Sequence, residues 1–229
     1  MQLYRRLHFG SLATFHLLDT RQYRTDLPCG DDVKPSCEDR INPAATMLGA
    51  TQERWLSNGL SASRTKWNVL AQLVIFSEFD QQAGDGEIFD MDKWDGYPAA
   101  RERLISFLAQ AKPSNPVVIS GDNHNNWVFD VKRDFAKEKS PIIASEFVGT
   151  SITSGGDGAE RSAEHAPAIE ANPHLKFHNS QRGYVRCVIK EKSWQSDFRI
   201  VPYVSRQGAP IETKASFIVE SGKPGASRI

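Results

Sequence analysis

Apolar positions along the chain fall into short runs separated by long polar stretches, and the spacing within each run indicates what it forms. Ser11-Leu12-Ala13-Thr14-Phe15-His16-Leu17-Leu18 reads as a buried strand that ends where Asp19-Thr20-Arg21 begins. A stretch without period follows from Arg24 to Ala45. Leu48 to Leu56 looks like the opening of a short helix, with Trp55, Leu56 and Leu60 on one face and Gly59 near its end. Trp67 to Phe76 predicts a second buried strand. Tyr97 to Lys112 predicts the clearest helix: Pro98 suits a first turn, and Leu104, Ile105, Leu108 and Ala111 recur at three- and four-residue spacing. Pro113, Asn115 and Pro116 stop it. Pro116-Val117-Val118-Ile119-Ser120 is continuous and short, as expected of a strand covered on both faces, and it leads straight into Gly121-Asp122-Asn123-His124.

Strand, helix, strand, helix, strand up to residue 120 points to layered α/β architecture. The tail differs. Tyr184 to Lys190 and Phe198 to Val204 read as β-type runs joined by a turn around 192–196, and Ala215 to Val219 as a third, so antiparallel strands close the chain. Residues 155–181, rich in Gly, Pro, Asn and His, read as a long surface loop. No repeat and no separable second domain emerges, which leaves residues 1–229 as one unit. The opening residues read as fold rather than as a leader.

Composition narrows the function classes. The 229 residues carry 28 Lys plus Arg against 28 Asp plus Glu, interspersed, so no broad basic face for a nucleic acid is expected. The longest apolar stretch, near Val69 to Phe76, is interrupted by Gln72, which excludes a membrane-spanning helix as an expectation. There are three cysteines. In an oxidising compartment a Cys29–Cys37 bridge would close a short loop worth about 2.5 kcal/mol; in a reducing one both are thiols, and the count fixes neither.

Chemistry gathers at strand ends. Asp122 and His124 follow the strand at 116–120, where ligands collect in layered α/β sheets, and Gly121 would let the backbone bend there. A carboxylate and an imidazole two positions apart offer a hard oxygen and a borderline nitrogen to a metal. The plain alternative is a turn capped by Asp122, with His124 packed into it. Asp19 and Arg21 also leave a strand end and bring a carboxylate and a guanidinium to one rim, or else form a turn or buried ion pair. Asp95, in Trp94-Asp95-Gly96-Tyr97-Pro98, is placed to cap the long helix. The hydroxyl-rich segment from Glu146 to Gly156 can line a phosphate pocket or form self-bonded turns. His8 and His16 are expected to pack within strands, whereas His165, His174 and His178 lack ligand spacing. No serine-hydrolase elbow, Walker loop, zincin helix or dinucleotide fingerprint is present.

Several blocks in order resemble the PhoD-type alkaline phosphatases, a branch of the metal-dependent phosphoesterases. These are Tyr4-Arg5-Arg6, Phe9-Gly10, Leu18-Asp19-Thr20-Arg21-Gln22-Tyr23-Arg24, Met47-Leu48-Gly49 with Gln52 and Trp55-Leu56, and Trp94-Asp95-Gly96-Tyr97-Pro98. The series continues through Gly121-Asp122-Asn123-His124, Glu146-Phe147-Val148-Gly149-Thr150-Ser151-Ile152 and Gln181-Arg182-Gly183-Tyr184. The resemblance implies an α/β/β/α metallophosphoesterase-like sandwich, here its carboxyl-terminal half. It implies hydrolysis of small phosphate mono- and diesters at a calcium- and iron-type centre, in a periplasmic or extracellular protein exported by the twin-arginine route. Asp122 and His124 would then be catalytic metal ligands, with Asp19, Arg21 and Asn125 contacting substrate or supporting the ligands. The family's earlier motifs, a ligand cysteine, Gly-Asp-x-x-Tyr and Asp-Asp-His, are not found in residues 1–229, and Asn123 stands where the family usually has an apolar residue. The isolated chain is therefore expected to be inactive.

Two other readings compete. One is a non-catalytic β-rich binding module in which Asp122 and His124 are structural. The other is a calcium-stabilised surface protein using Gly155-Gly156-Asp157-Gly158, which offers only one carboxylate in the loop core.

Overall fold

The structure, a computed structural model, describes residues 1–229. Its strands and helices run β1 (Arg5–Phe9), β2 (Ala13–Leu17), β3 (Val33–Pro35), α1 (Gly49–Ala62), β4 (Trp67–Ala71), β5 (Ile88–Asp90), α2 (Pro98–Ala111) and β6 (Pro116–Ser120). There follow β7 (Asn126–Lys132), β8 (Ile142–Val148), α3 (Ala166–Ala171), β9 (Leu175–Asn179), β10 (Arg182–Ile189), β11 (Ser193–Val201), β12 (Glu212–Glu220) and β13 (Lys223–Arg228). A seven-stranded sheet has the order β1-β2-β4-β6-β8-β7-β9, and a four-stranded sheet the order β10-β11-β12-β13. The steps β2 to β4, β4 to β6 and β6 to β8 are parallel, while β1, β7 and β9 pair antiparallel with their neighbours.

Alternation within the central strands explains the layering. In β4 and β6, Trp67, Val69 and Val117 face one core with Trp194, Phe198 and Phe217 of the small sheet. Leu70 and Val118 face the opposite core with Leu56 and Leu60 of α1 and Leu104, Ile105 and Leu108 of α2. Parallel strands covered on both faces are expected to read as continuous apolar runs, which is how Pro116 to Ser120 reads. The layers are therefore helices, large sheet, small sheet; within residues 1–229 no second helical layer lies over the small sheet. No helix is long and apolar enough to cross a membrane. Cys29 and Cys37 are disulfide-bonded with Cα atoms 6.1 Å apart, within the usual range for a bridge.

Several expectations are corrected. The strand expected over 67–76 stops at Ala71, because Gln72 turns its amide onto Val74 and Ser120, and Phe76 and Ser77 donate their backbone N–H groups to the two Glu146 carboxylate oxygens at 2.8 Å. The loop expected over 155–181 contains α3 and β9, the latter packed by Phe177 on Phe198 (5.1 Å between centroids) and His178 stacked on Trp127 (4.1 Å). The turn expected at 192–196 lies earlier, at Lys190–Ser193, with Lys190 N–H donating to Ser193 O at 2.8 Å. Ser196, inside the expected turn, and its neighbour Asp197 are buried strand residues, and Asp197 accepts from Ser216 at 2.7 Å and Gln195 at 2.8 Å. His8 lies exposed on the edge strand β1 rather than packed.

Burial holds the imidazoles of His16, His174 and His178 down at about 4. These values lie below the unfolded value of about 6.5, so the stability the neutral rings contribute is present above that pH and is lost as pH falls toward 4. The melting temperature is expected to fall steadily between pH 6.5 and 4.5, each ring contributing at most on the order of 1.4 kcal/mol per pH unit. His174→Asn should make that fall shallower. A melting temperature flat across this window would contradict the assignment.

Reduction of Cys29–Cys37 should lower unfolding free energy by about 2.5 kcal/mol, read by denaturant titration with and without reductant. An unchanged midpoint would contradict a stabilising bridge.

Candidate functional site at the carboxyl ends of the parallel strands

Strand β6 ends in a tight reversal that carries the two most promising ligands. Gly121 is not where the chain bends: its N–H still donates to Leu73 O at 3.0 Å. The left-handed positions are instead Asp122 (φ 68°) and His124 (φ 57°), a conformation that Asp and His tolerate better than most residues but that still stores strain. Such a backbone persists only if its surroundings fix it, and they do. Asn123 N–H donates to Gly121 O at 2.8 Å. The Asn123 side-chain oxygen accepts the buried Trp127 indole N–H at 2.6 Å, and Asn125 donates to the Asn123 carbonyl at 2.9 Å. Asn123 is thus a hydrogen-bond anchor within the reversal. The His124 carbonyl accepts from Thr150 Oγ1 at 2.9 Å and from Arg182.

The side chains of Asp122 and His124 both face solvent. Asp122 is ion-paired with Lys93 through Oδ2, and its Oδ1 lies 3.5 Å from Arg21 Nη2. Arg21 and Arg24 both donate to Asp92 Oδ1, at 2.5 and 2.6 Å, and Asp90 lies 3.7 Å from Lys93. Three cations and three carboxylates therefore share this rim. Burial would raise the Asp92 carboxyl, but hydrogen bonds and charge from Arg21 and Arg24 outweigh it and hold it below the ordinary range. Burial raises Asp90, against the pull of Lys93.

The other candidates divide. Arg21 joins Asp122, as a shared rim requires. Asp19 is spent on its own turn: Oδ1 accepts the N–H groups of Arg21 and Gln22 at 3.0 Å, and Oδ2 accepts the Gln22 amide at 2.6 Å. Gln52 fastens this strand end by accepting Asp19 N–H at 2.8 Å and donating to Asp19 O at 2.9 Å. Asn125 supports the Asn123 carbonyl within the reversal. Asp95 does not cap α2; it is buried in an ion pair with Arg101 and accepts Phe79 N–H at 3.1 Å. Asp157 is taken by Val204 and Ser205 N–H at 2.7 and 2.8 Å, which leaves the 155–158 loop without a free carboxylate for calcium.

Lys93, Asp92, Arg24, Trp127 and Arg182 were not singled out from the sequence. Lys93 sits beside Trp94-Asp95-Gly96, and Arg182 within Gln181-Arg182-Gly183-Tyr184, so the blocks themselves held the signal. No group of three or more His, Cys, Asp or Glu is placed to hold a metal ion. Asp122 and His124 suit two positions of a metal shell, yet the donors of this chain do not complete one.

A mixed sheet sealed on both faces, with ionisable groups massed beyond the carboxyl ends of its parallel strands, defines an α/β protein of the kind that binds ligands at that rim. Residues 1–198 match the family model described as PhoD-like phosphatase, and the chain belongs to that family. It is 45% identical over 229 residues to alkaline phosphatase D of Bacillus subtilis (strain 168), covering all of this chain and 39% of that protein. A solved structure described as "Structure of PhoD" superposes with a TM-score of 0.96 at 45% identity, over 100% of this chain and 44% of that one. The chain thus spans about two fifths of the curated relative it matches.

Trp127→Phe keeps the ring stack but removes the donor to Asn123, and should cost about 1 kcal/mol. Hydrogen exchange of amides 121–125 is expected to accelerate in this variant while that of α2 does not. Unchanged exchange at 121–125 would show that the indole does not hold the reversal.

Proposed function

We propose that this chain supplies part of a phosphoester-hydrolysing site in which Asp122 and His124 are metal ligands and Arg21 contacts the phosphate. The observation that carries it is the membership of the PhoD-like family combined with the reversal after β6, which presents a carboxylate and an imidazole beside Arg21 and Lys93. Residues 1–229 are read as the carboxyl-terminal part of one catalytic domain, with no separate second domain. Calcium and iron are the metals that the resemblance implies, and small phosphate mono- and diesters the substrates. The exposed Leu7 and Phe9 on β1, an edge strand with one partner, fit a sheet continued by the remainder of the domain.

What these residues do follows from charge. With two donors present, the ion's other ligands come from outside residues 1–229. Arg21 offers a planar fork suited to phosphate oxygens, and Asp92 orients that fork through the bond at 2.5 Å. Lys93 is paired with Asp122; were that carboxylate to hold a cation, Lys93 would be available as a second positive group for the phosphate. Asp19 and Asn125 act through the backbone they fasten. The disulfide accords with an exported protein, as the twin-arginine route of the family implies.

In the full-length protein, Asp122→Ala should lower kcat at least about 100-fold, the order lost when a charge-stabilising contact to the reacting group is removed, and bound metal measured by elemental analysis should fall with it. Residues 1–229 alone should show no metal-stimulated phosphatase turnover. Survival of both activity and metal content in Asp122→Ala, or turnover by the isolated chain, would overturn the reading and favour a structural role for Asp122 and His124.

A further inference from the structure

Arg182 is a buried cation without an anion. The residue is 6% exposed, and no carboxylate forms an ion pair with its guanidinium. Burying a charge is costly unless it is paired or fully hydrogen-bonded, and burial accordingly pulls its pKa below the ordinary arginine value. The cost is offset by neutral oxygens alone. Nε donates to Gly156 O at 2.9 Å, and Nη1 donates to the His124 carbonyl, to Ser151 Oγ at 3.2 Å and to Thr150 Oγ1 at 3.3 Å.

The surrounding loop is shaped to this end. Gly158 holds φ at +73° against Arg182 Nη2, where any side chain would collide with the Ser180 carbonyl. Asp157, the one carboxylate within this glycine-rich turn, is turned away onto Val204 and Ser205. A carboxylate beside Arg182 would neutralise it; the loop excludes one and leaves the fork free to bridge two backbone carbonyls. One of these belongs to His124, a left-handed residue that needs external fixing.

The geometry points to Arg182 as the positioning residue that sets the His124 imidazole for its work, by clamping the His124 carbonyl jointly with Thr150. This role rests on the proposed function of His124, although Arg182 itself touches neither metal nor substrate. Lysine cannot replace it. A single ammonium has no planar fork to reach Gly156 O and His124 O together.

The test uses the full-length protein with isotope-labelled histidine, its ring signals assigned by substitution. In Arg182→Lys the His124 ring signal should shift or broaden while those of His8 and His16, on distant strands, stay in place, and kcat should fall about 10- to 100-fold with KM changed less than about threefold, as expected when an interaction serving the transition state is lost. Thr150→Val removes the second donor to the same carbonyl and the longest of the Nη1 contacts, leaving Arg182 its bonds to Gly156 O, His124 O and Ser151 Oγ, so it keeps the claim testable if Arg182→Lys folds poorly; a smaller displacement of the same His124 signal is expected. A His124 signal unmoved in both variants overturns the role. The ring signal is independent of turnover, so absence of phosphatase activity in the wild type would overturn the functional reading while leaving the positioning claim to be judged on the signal alone.

Discussion

Everything near the centre of this chain is governed by the sealing of β4, β6 and β8 on both faces. Between α1 and α2 on one side and the four-stranded sheet on the other, no water is available to solvate a charge. Ionisable groups in that region must be fully hydrogen-bonded or displaced to the strand ends. Glu146 takes the first course. Wholly buried in β8, it accepts from Phe76 N–H, Ser77 N–H and Ser120 Oγ, and burial still pushes its carboxyl upward. Its carboxylate thereby folds the 72–77 segment back over the strand ends, beside the reversal after β6.

The remaining charges follow the second course and gather at the rim. There Lys93 and Arg21 share Asp122, and Arg21 and Arg24 share Asp92. Such a cluster balances its own charge in the absence of any ion, and exchange of partners within it costs less than separation of a single buried pair, because every member but the buried Lys93 keeps partial contact with solvent. The backbone beneath is the rigid part. Asp122 and His124 are held left-handed by contacts from β7, from the segment after β8 and from β10, so three distant parts of the sequence converge on four residues.

The apolar pattern made the sealed strands legible: β2, β6 and α2 stand close to where their periodicity puts them. The position of Asp122 and His124 was legible for the same reason, since a continuous apolar run that stops at Gly121 announces a strand end. The buried strands β7 and β8 were not read as strands, and other elements escaped because polar side chains carry them. Asp197, Ser196 and His178 look like loop residues until their partners across the sheet are known, which hid the start of β11 and all of β9. Asp19 illustrates the converse: its place at a strand end is plain, but only the folded turn shows that its oxygens are already committed to Arg21 and Gln22. Lys93 and Arg182 reach the reversal from 29 and 58 residues away, a juxtaposition no local spacing encodes.

The central claim is that the reversal after β6 presents Asp122 and His124 to a metal ion completed by residues beyond this chain. The most direct test is anomalous diffraction from crystals of the full-length protein purified without chelator. An anomalous peak is expected about 2.0–2.6 Å from an Asp122 carboxylate oxygen and a His124 ring nitrogen, with Lys93 withdrawn from Asp122. A crystal whose metals lie elsewhere, with the Lys93–Asp122 pair intact, would contradict it.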